Sequence, residues 1–126
     1  MQKILLVEDD NLTRTTLRQF LRANGYEVEL AEGGTQALSL LAGNKFDLVV
    51  SDVVMPHVNG WDLWDHISAV APDTPVLLVT AYAAVQAQPR QAQPRPMPEV
   101  ILKPLLLTDL LAKIQNILRQ KTLEEN

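Results

Sequence analysis

Four short apolar runs along the chain have the length and composition of strands that are buried on both faces of a sheet. They are residues 3–7, 48–50, 76–79 and 100–102. Continuous runs of β-branched and leucine residues of this length are typical of central strands in a parallel sheet. Residues 26–31 alternate between polar and apolar side chains instead, which predicts a half-exposed strand at an edge of the sheet.

Segments with apolar side chains at helical spacing lie between these strands. The first is predicted over 12–24, with apolar Leu17, Phe20 and Leu21 on one face and Arg14, Arg18 and Arg22 on another. Strands that alternate with helices predict an α/β fold with a doubly wound parallel sheet of five strands. Because the second strand has the pattern of an edge, the predicted strand order is 2-1-3-4-5.

Polar residues follow the strands at the point where each strand ends. Glu8 and Asp9 follow the first strand, Asp52 the third, Thr80 the fourth and Lys103 the fifth. In the predicted order, the first and third strands are neighbours, so their acidic residues stand side by side at a switch point of the sheet. This is where open α/β sheets bind their ligands. The alternative for Asp52 alone is a structural cap of the next turn.

The chemistry of this edge follows from its charges. Several carboxylates at one edge repel each other, and a bound cation removes the repulsion. A donor set made of oxygen atoms favours Mg²⁺ over Ca²⁺ when the ligands are few. A carboxylate can attack phosphorus to give an aspartyl phosphate, with Thr80 and Lys103 as donors to the incoming anion. Asp10 or Asn11 has a structural use as the cap of the first helix.

These motifs, taken together, resemble the receiver domain of two-component response regulators, a CheY-like, flavodoxin-like fold. The resemblance covers nearly the whole chain and rests on residues 4–9, on 52–56 with Gly60, on Thr80-Ala81 and on Lys103-Pro104. It implies a phosphoacceptor domain that is regulatory rather than an enzyme, and that catalyses only its own Mg²⁺-dependent phosphorylation and dephosphorylation.

The resemblance also implies the role of each site residue. Asp52 is the implied phosphoacceptor, and the phosphoryl group comes from a sensor histidine kinase or a phosphotransfer protein. Thr80 is the implied switch hydroxyl, and Lys103 the implied lysine that contacts the phosphoryl group. The implied Mg²⁺ ligands are the acidic pair, Asp52 and the backbone carbonyl of a further residue. In this sequence they are Glu8, Asp9, Asp52 and Val54.

The chain departs from the family pattern between the fourth and fifth strands. Residues 83–98 contain Gln-Ala-Gln-Pro-Arg twice in tandem and four prolines, where the family has a helix. A proline inside a helix costs about 3 kcal/mol, so this helix is predicted to be missing or truncated to one turn. Val100 stands where the family has an aromatic switch residue, and Tyr82 is an alternative partner for Thr80.

The last residues suggest how the domain connects to others. We predict a receiver domain over 1–120, and over 121–126 a tail or the start of a helical linker. The ending is similar to the linker of NtrC-type transcription regulators, so the chain is predicted to be part of a longer regulator. A homodimer through the fifth strand and the last helix is a further expectation.

The composition limits the classes of protein that remain. A formal net charge of −4 argues against nucleic-acid contact by this domain, and the absence of cysteine excludes disulfides. The sequence shows neither a signal peptide nor an apolar run that could span a membrane, so a cytoplasmic protein is expected.

Two other functions are compatible with parts of the sequence. A phosphohydrolase of the haloacid dehalogenase kind would need an aspartyl nucleophile at the end of the first strand, where this chain has Glu8. A pseudo-receiver, which is a phosphorylation-independent interaction domain, would keep the acidic pocket but lose the switch. Val100 and the altered 83–98 segment are the observations that favour it.

Overall fold

A computed structural model of the chain describes residues 1–81 and 95–125. The elements follow one another as strands β1 to β5 and helices α1 to α4, and their bounds are as follows: β1 Lys3–Val7, α1 Asn11–Ala23, β2 Glu27–Ala31, α2 Gly34–Gly43, β3 Leu48–Asp52, α3 Gly60–Val70, β4 Val76–Thr80, β5 Glu99–Leu102 and α4 Leu107–Glu125. Among the described helices, none has both the length and the apolar character that a membrane span requires.

All five strands pair in parallel, in the order β2-β1-β3-β4-β5. The predicted doubly wound sheet and its strand order are therefore confirmed. The strands present alternate side chains to two separate apolar cores, one formed with α2 and α3 and the other with α1 and α4. In β1, for example, Leu5 lies in the first core, whereas Ile4 and Leu6 lie in the second.

The prediction that β5 is buried like the other apolar strands is wrong. Its two central residues are half-buried, and both of its ends are exposed, with Leu102 at 50%. The reason is its place in the sheet, since β5 pairs only with β4 among the described strands and forms the second edge. A run of three apolar residues was too short to separate an edge strand from a central one.

The predicted loss of the helix between β4 and β5 concerns residues 83–98. Residues 83–94, like Tyr82, lie outside the described part of the chain, and residues 95–98 form neither helix nor strand. The side chain of Arg95 fastens this segment to α3 and to the loop after it. Its Nε donates to Ser68 Oγ at 2.7 Å, and its Nη1 donates to the carbonyls of Pro72 at 2.9 Å and Thr74 at 2.8 Å. The guanidinium also lies over the ring of the buried Trp64, 5.6 Å from the ring centroid.

Replacing Arg95 with alanine is expected to lower the free energy of unfolding by about 2 kcal/mol, because three carbonyl or hydroxyl acceptors and one aromatic ring lose their partner. Arg95→Lys should lose less of the free energy of unfolding than Arg95→Ala but should not match the parent, since one ammonium cannot make all the hydrogen bonds of the planar guanidinium. Urea unfolding measures the difference, and the exposed Arg119 on α4 provides the control, with a change within about 0.5 kcal/mol. Equal losses for Arg95→Ala and Arg119→Ala would contradict this role of Arg95.

Candidate functional site

The polar residues that follow the strands meet at the carboxyl edge of the sheet. Glu8 follows β1, Asp52 is the last residue of β3, and Thr80 is the last residue of β4. Lys103 follows β5, and its backbone N–H donates to the carbonyl of Thr80 at 2.9 Å. Because β1, β3, β4 and β5 are consecutive neighbours, the strand pairing itself assembles this edge.

Three carboxylates form a cluster at the edge, as predicted from the sequence. Glu8, Asp9 and Asp52 each have a carboxylate oxygen, and all three oxygens lie within 4.8 Å of one another. Glu8 and Asp52 are buried, at 5% and 7% exposure, whereas Asp9 is exposed. A cluster of hard oxygen donors that is open to solvent on one side suits a divalent cation that keeps part of its water shell.

The environment of the cluster changes the pKa of Glu8. The pKa of Glu8 is raised from 4.5 to about 7, mainly by burial and in addition by the charges of Asp52 and Asp9. The hydrogen bond that its Oε1 accepts from the N–H of Asp10, at 3.0 Å, and the charge of Lys103 act in the opposite direction and lower it. The negative charges are therefore only partly compensated by the protein itself.

Lys103 supplies the positive charge at the edge. Its Nζ donates to Asp52 Oδ2 at 2.8 Å, and its side chain remains 34% exposed. Burial alone would lower the pKa of Lys103, but the hydrogen bond to Asp52 and the charges of Asp52, Glu8 and Asp9 raise it above its usual value. The ammonium is therefore charged at neutral pH, and it faces both the acidic cluster and solvent. The peptide bond between Lys103 and Pro104 is cis.

The loop after β3 brings Val54 next to Asp52. The N–H of Val54 lies 3.3 Å from Asp52 Oδ1, and the side chain of Val54 is half exposed. The loop is closed by the N–H of Gly60, which donates to the carbonyl of Val53 at 2.9 Å. Helix α3 then begins with a capping box, in which Asn59 accepts from the N–H of Asp62 and the Asp62 carboxylate accepts from the N–H of Asn59.

Asp10 belongs to the helix rather than to the carboxylate cluster, and the prediction that it caps α1 is confirmed. Its Oδ2 accepts hydrogen bonds from the N–H of Thr13 at 2.8 Å and from the hydroxyl of Thr13 at 2.6 Å. Both hydrogen bonds lower the pKa of Asp10. A single side chain is therefore enough to cap α1, and Glu8 and Asp9 remain for other use.

The burial of Arg14 was not predicted from the sequence. Arg14, which was predicted on the polar face of α1, is in fact buried at 8% exposure, and its guanidinium donates to the backbone carbonyl of Glu8 at 3.0 Å. The only signal for this in the sequence is an arginine one turn into a helix that begins directly after the acidic pair.

Thr80 is completely buried, and Val100 packs half-buried against the core beneath α2 and α3.

Comparison with known proteins identifies the family. The sequence model of the response regulator receiver domain matches residues 4–115. The chain belongs to the response regulator receiver family. Its curated relatives include the response regulator MprA of Mycobacterium sp. (strain KMS), 37% identical over 98% of this chain and 53% of the relative, and MprA of Mycobacterium ulcerans (strain Agy99), 35% identical over 98% and 53%. This receiver domain thus spans about half the length of these curated relatives.

Solved structures of receiver domains have the same fold. A CheY-like response regulator receiver domain protein from Methanospirillum hungatei has a TM-score of 0.87 and 27% identity, with 98% of each chain covered. The response regulator TrrA of Thermotoga maritima, solved in complex with Mg²⁺ and BeF, has a TM-score of 0.82 and 29% identity over 93% of this chain and 99% of that one. The receiver interpretation is therefore supported over a phosphohydrolase, while the NtrC-type affiliation, the domain boundary at residue 120 and the cytoplasmic location stay predictions.

Proposed function

We propose that Asp52 of this receiver domain accepts a phosphoryl group from a sensor histidine kinase or a phosphotransfer protein, and that its phosphorylation switches an output domain or a partner. The observation that supports the proposal most strongly is that the Asp52 carboxylate lies close both to an acidic pair and to an ammonium. A carboxylate oxygen of Asp52 lies within 4.8 Å of oxygens of Glu8 and Asp9, and its Oδ2 accepts a hydrogen bond from Lys103 Nζ at 2.8 Å.

The reaction is a substitution at phosphorus. A carboxylate oxygen of Asp52 forms a bond to phosphorus, and the bond between phosphorus and the imidazole nitrogen of the donor breaks. The electron pair of that bond stays on the nitrogen, and the Asp52 carboxylate becomes a mixed anhydride. The low exposure of Asp52, 7%, limits access of water to the reacting atoms.

The acidic cluster fits a Mg²⁺ ion as the implied cofactor of this reaction. The donor set is all oxygen, and burial, together with the charges of Asp52 and Asp9, raises the pKa of Glu8 to about 7, so a bound cation would favour the ionised form of this carboxyl. We assign Glu8, Asp9, Asp52 and the backbone carbonyl of Val54 as the residues that hold it, directly or through water. When bound, the ion supplies positive charge that offsets the carboxylates and the oxygens of the phosphoryl group.

Lys103 has two roles in this proposal. Before phosphorylation its ammonium neutralises Asp52, and afterwards it is close enough to bind an oxygen of the new phosphoryl group. The buried Thr80, at the end of the neighbouring strand, is the hydroxyl that we assign to sense the phosphoryl group. Leu102 and Leu106 are 50% and 62% exposed on the β5 and α4 side, and we assign this side as the surface for a homodimer or an output partner.

Replacing Lys103 with methionine is expected to slow phosphorylation by acetyl phosphate about tenfold to a hundredfold, because the transferring oxygens lose their positively charged donor. The partial exposure of the side chain places the effect at the low end for such donors. Intact mass spectrometry over time measures the rate. Lys113→Met, at a lysine of similar exposure that is paired with Glu99 at 3.2 Å, is the matched control and should keep the parent rate. A parent-like rate for Lys103→Met would remove the ammonium from the mechanism.

The proposed function is tested by incubating the protein with acetyl phosphate and Mg²⁺ and measuring its intact mass. We expect the mass of one added phosphoryl group with Mg²⁺ and none with excess EDTA. Reduction with borohydride, which converts an aspartyl phosphate to homoserine, should mark residue 52 in the peptide map. Absence of the adduct in a protein that binds Mg²⁺ would overturn the proposal.

A pseudo-receiver is the second candidate, and Val100 is the observation that favours it. The side chain at this position is a half-buried valine that packs against the core, so an aromatic ring is not available there to couple with Thr80. The candidate predicts that phosphorylation, or binding of a beryllofluoride mimic, leaves the oligomeric state unchanged. Size-exclusion chromatography with and without the mimic separates this candidate from an active switch.

A further inference from the structure

Arg14 is a buried cation beside the acidic site. It lies one turn into α1, and its guanidinium contacts three different segments of the chain. Nη1 donates to the carbonyl of Glu8 at 3.0 Å, and Nη2 donates to Asn11 Oδ1 at 2.8 Å. Nη2 also lies 3.7 Å from the exposed carboxylate of Glu32, which follows β2.

The bond to Glu8 fixes the peptide group that joins the two acidic residues. The N–H of Glu8 already donates to the carbonyl of Ala31 at 3.1 Å. Its carbonyl, which belongs to the peptide between Glu8 and Asp9, is held by Arg14. The torsion angles on either side of this peptide, ψ of Glu8 and φ of Asp9, together set the relative direction of the two side chains, so a bond that restrains the peptide restrains both carboxylates. Outer groups that orient metal ligands in this way are known to control affinity.

We propose that Arg14 is a positioning residue for the Mg²⁺ site and acts by holding the peptide between Glu8 and Asp9. The inference rests on the proposed function, because it assumes that the acidic cluster binds Mg²⁺. Arg14 touches neither the cation nor the phosphoryl group. Its contribution is the orientation of the two carboxylates.

An electrostatic role and a positioning role of Arg14 predict opposite changes in Mg²⁺ affinity when the guanidinium is removed. A cation near a cation site repels the ion, so a purely electrostatic role predicts tighter Mg²⁺ binding without the guanidinium. A positioning role predicts weaker binding, because the peptide and both carboxylates lose their fixed direction. The direction of the change in affinity therefore decides between the two roles.

The test uses Arg14→Met, which keeps an aliphatic side chain of similar reach and removes the donors. Isothermal titration calorimetry with MgCl₂ on the full chain should give a dissociation constant about tenfold higher than that of the parent. Phosphorylation by acetyl phosphate should need correspondingly more Mg²⁺ for half-maximal rate, while the rate at saturating Mg²⁺ stays within about threefold of the parent. A loss of folded protein would instead reduce the rate by the same factor at every Mg²⁺ concentration.

Two further variants separate the contacts of Arg14. Glu32→Gln removes the exposed ion pair but leaves the bond to Glu8, and its Mg²⁺ affinity should match that of the parent. Arg14→Lys can still donate to the Glu8 carbonyl but cannot also hold Asn11, so its affinity should fall between those of the parent and Arg14→Met. If Arg14→Met does not fold, Arg14→Leu, which also has an aliphatic side chain without donors, takes its place with the same expected result and the same outcome against the inference.

A Mg²⁺ affinity of Arg14→Met equal to that of the parent, or tighter, would overturn the inference. A parent that binds no Mg²⁺ and forms no phosphoryl adduct would overturn the proposed function as well. If the parent binds Mg²⁺ and forms the phosphoryl adduct, but Arg14→Met binds Mg²⁺ as tightly as the parent, the positioning role alone would be overturned.

Discussion

Replacing Asp52 with asparagine should abolish the phosphoryl adduct, which is the largest effect that we expect from any single change. Asparagine keeps the shape of the side chain, but its single carbonyl oxygen can accept only one of the two hydrogen bonds that Oδ1 and Oδ2 of Asp52 accept from Val54 and Lys103. It lacks the anionic oxygen that attacks phosphorus, so the reaction has no nucleophile. The intact mass after incubation with acetyl phosphate and Mg²⁺ is the measurement.

The matched control is Asp109→Asn, which changes an exposed carboxylate in the first turn of α4. This variant should be phosphorylated like the parent. The melting temperature of Asp52→Asn, measured in parallel, shows whether the fold is retained. An adduct in folded Asp52→Asn at the parental level would place the phosphoacceptor elsewhere, with Asp9, the exposed carboxylate of the cluster, as the first to check.

Replacing Gly60 with alanine should destabilise the fold by about 3 kcal/mol or more. A Cβ at this position would lie 2.7 Å from the carbonyl oxygen of Asp52 and 2.9 Å from Val53 Cα. Both are backbone atoms, so the clash cannot be relieved by a change of rotamer. The end of β3 or the start of α3 would have to move, and the hydrogen bond from the Gly60 N–H to Val53 would be strained.

Urea denaturation of Gly60→Ala measures this loss, with Gly43→Ala as the control. Gly43 ends α2, and a Cβ there would meet no atom within 4 Å. Alanine at that position should be neutral or should stabilise the protein by about 0.5 to 1 kcal/mol, because it restricts the unfolded chain and favours the helix. Equal stabilities of the two variants would contradict the close approach at Gly60.

The sheet was predictable from the sequence because its central strands are short apolar runs that each end in a polar residue. The same runs placed Glu8, Asp52, Thr80 and Lys103 at one edge, since the carboxyl ends of parallel strands meet there. The burial of β5 was predicted wrongly, because a run of three apolar residues does not record whether a neighbour lies on both sides.

The contacts of the two arginines could not be predicted from sequence patterns. Arg14 was assigned to a polar face because an arginine in a helical pattern is taken as exposed. It can nevertheless be buried, because its aliphatic stem packs and its guanidinium donates to a nearby backbone carbonyl. Arg95 bonds to Ser68, Pro72 and Thr74, more than twenty residues away along the chain. Contacts over such separations depend on the tertiary fold and cannot be predicted from a local sequence pattern.

The anchoring of Arg95 has a consequence for how long the connection between β4 and β5 must be. Arg95 is held at the loop before β4, so the described ends of the connection, Ala81 and Arg95, are separated by roughly the length of a strand of five residues, about 17 Å. Removing one five-residue Gln-Ala-Gln-Pro-Arg copy, 86–90, would leave eight of the residues 82–94, whose contour length of about 26 Å still exceeds this span. The contacts of Arg95 and the parallel strand order are therefore compatible with one copy of the repeat or with two. The number of repeats can change during evolution without altering the topology of the sheet.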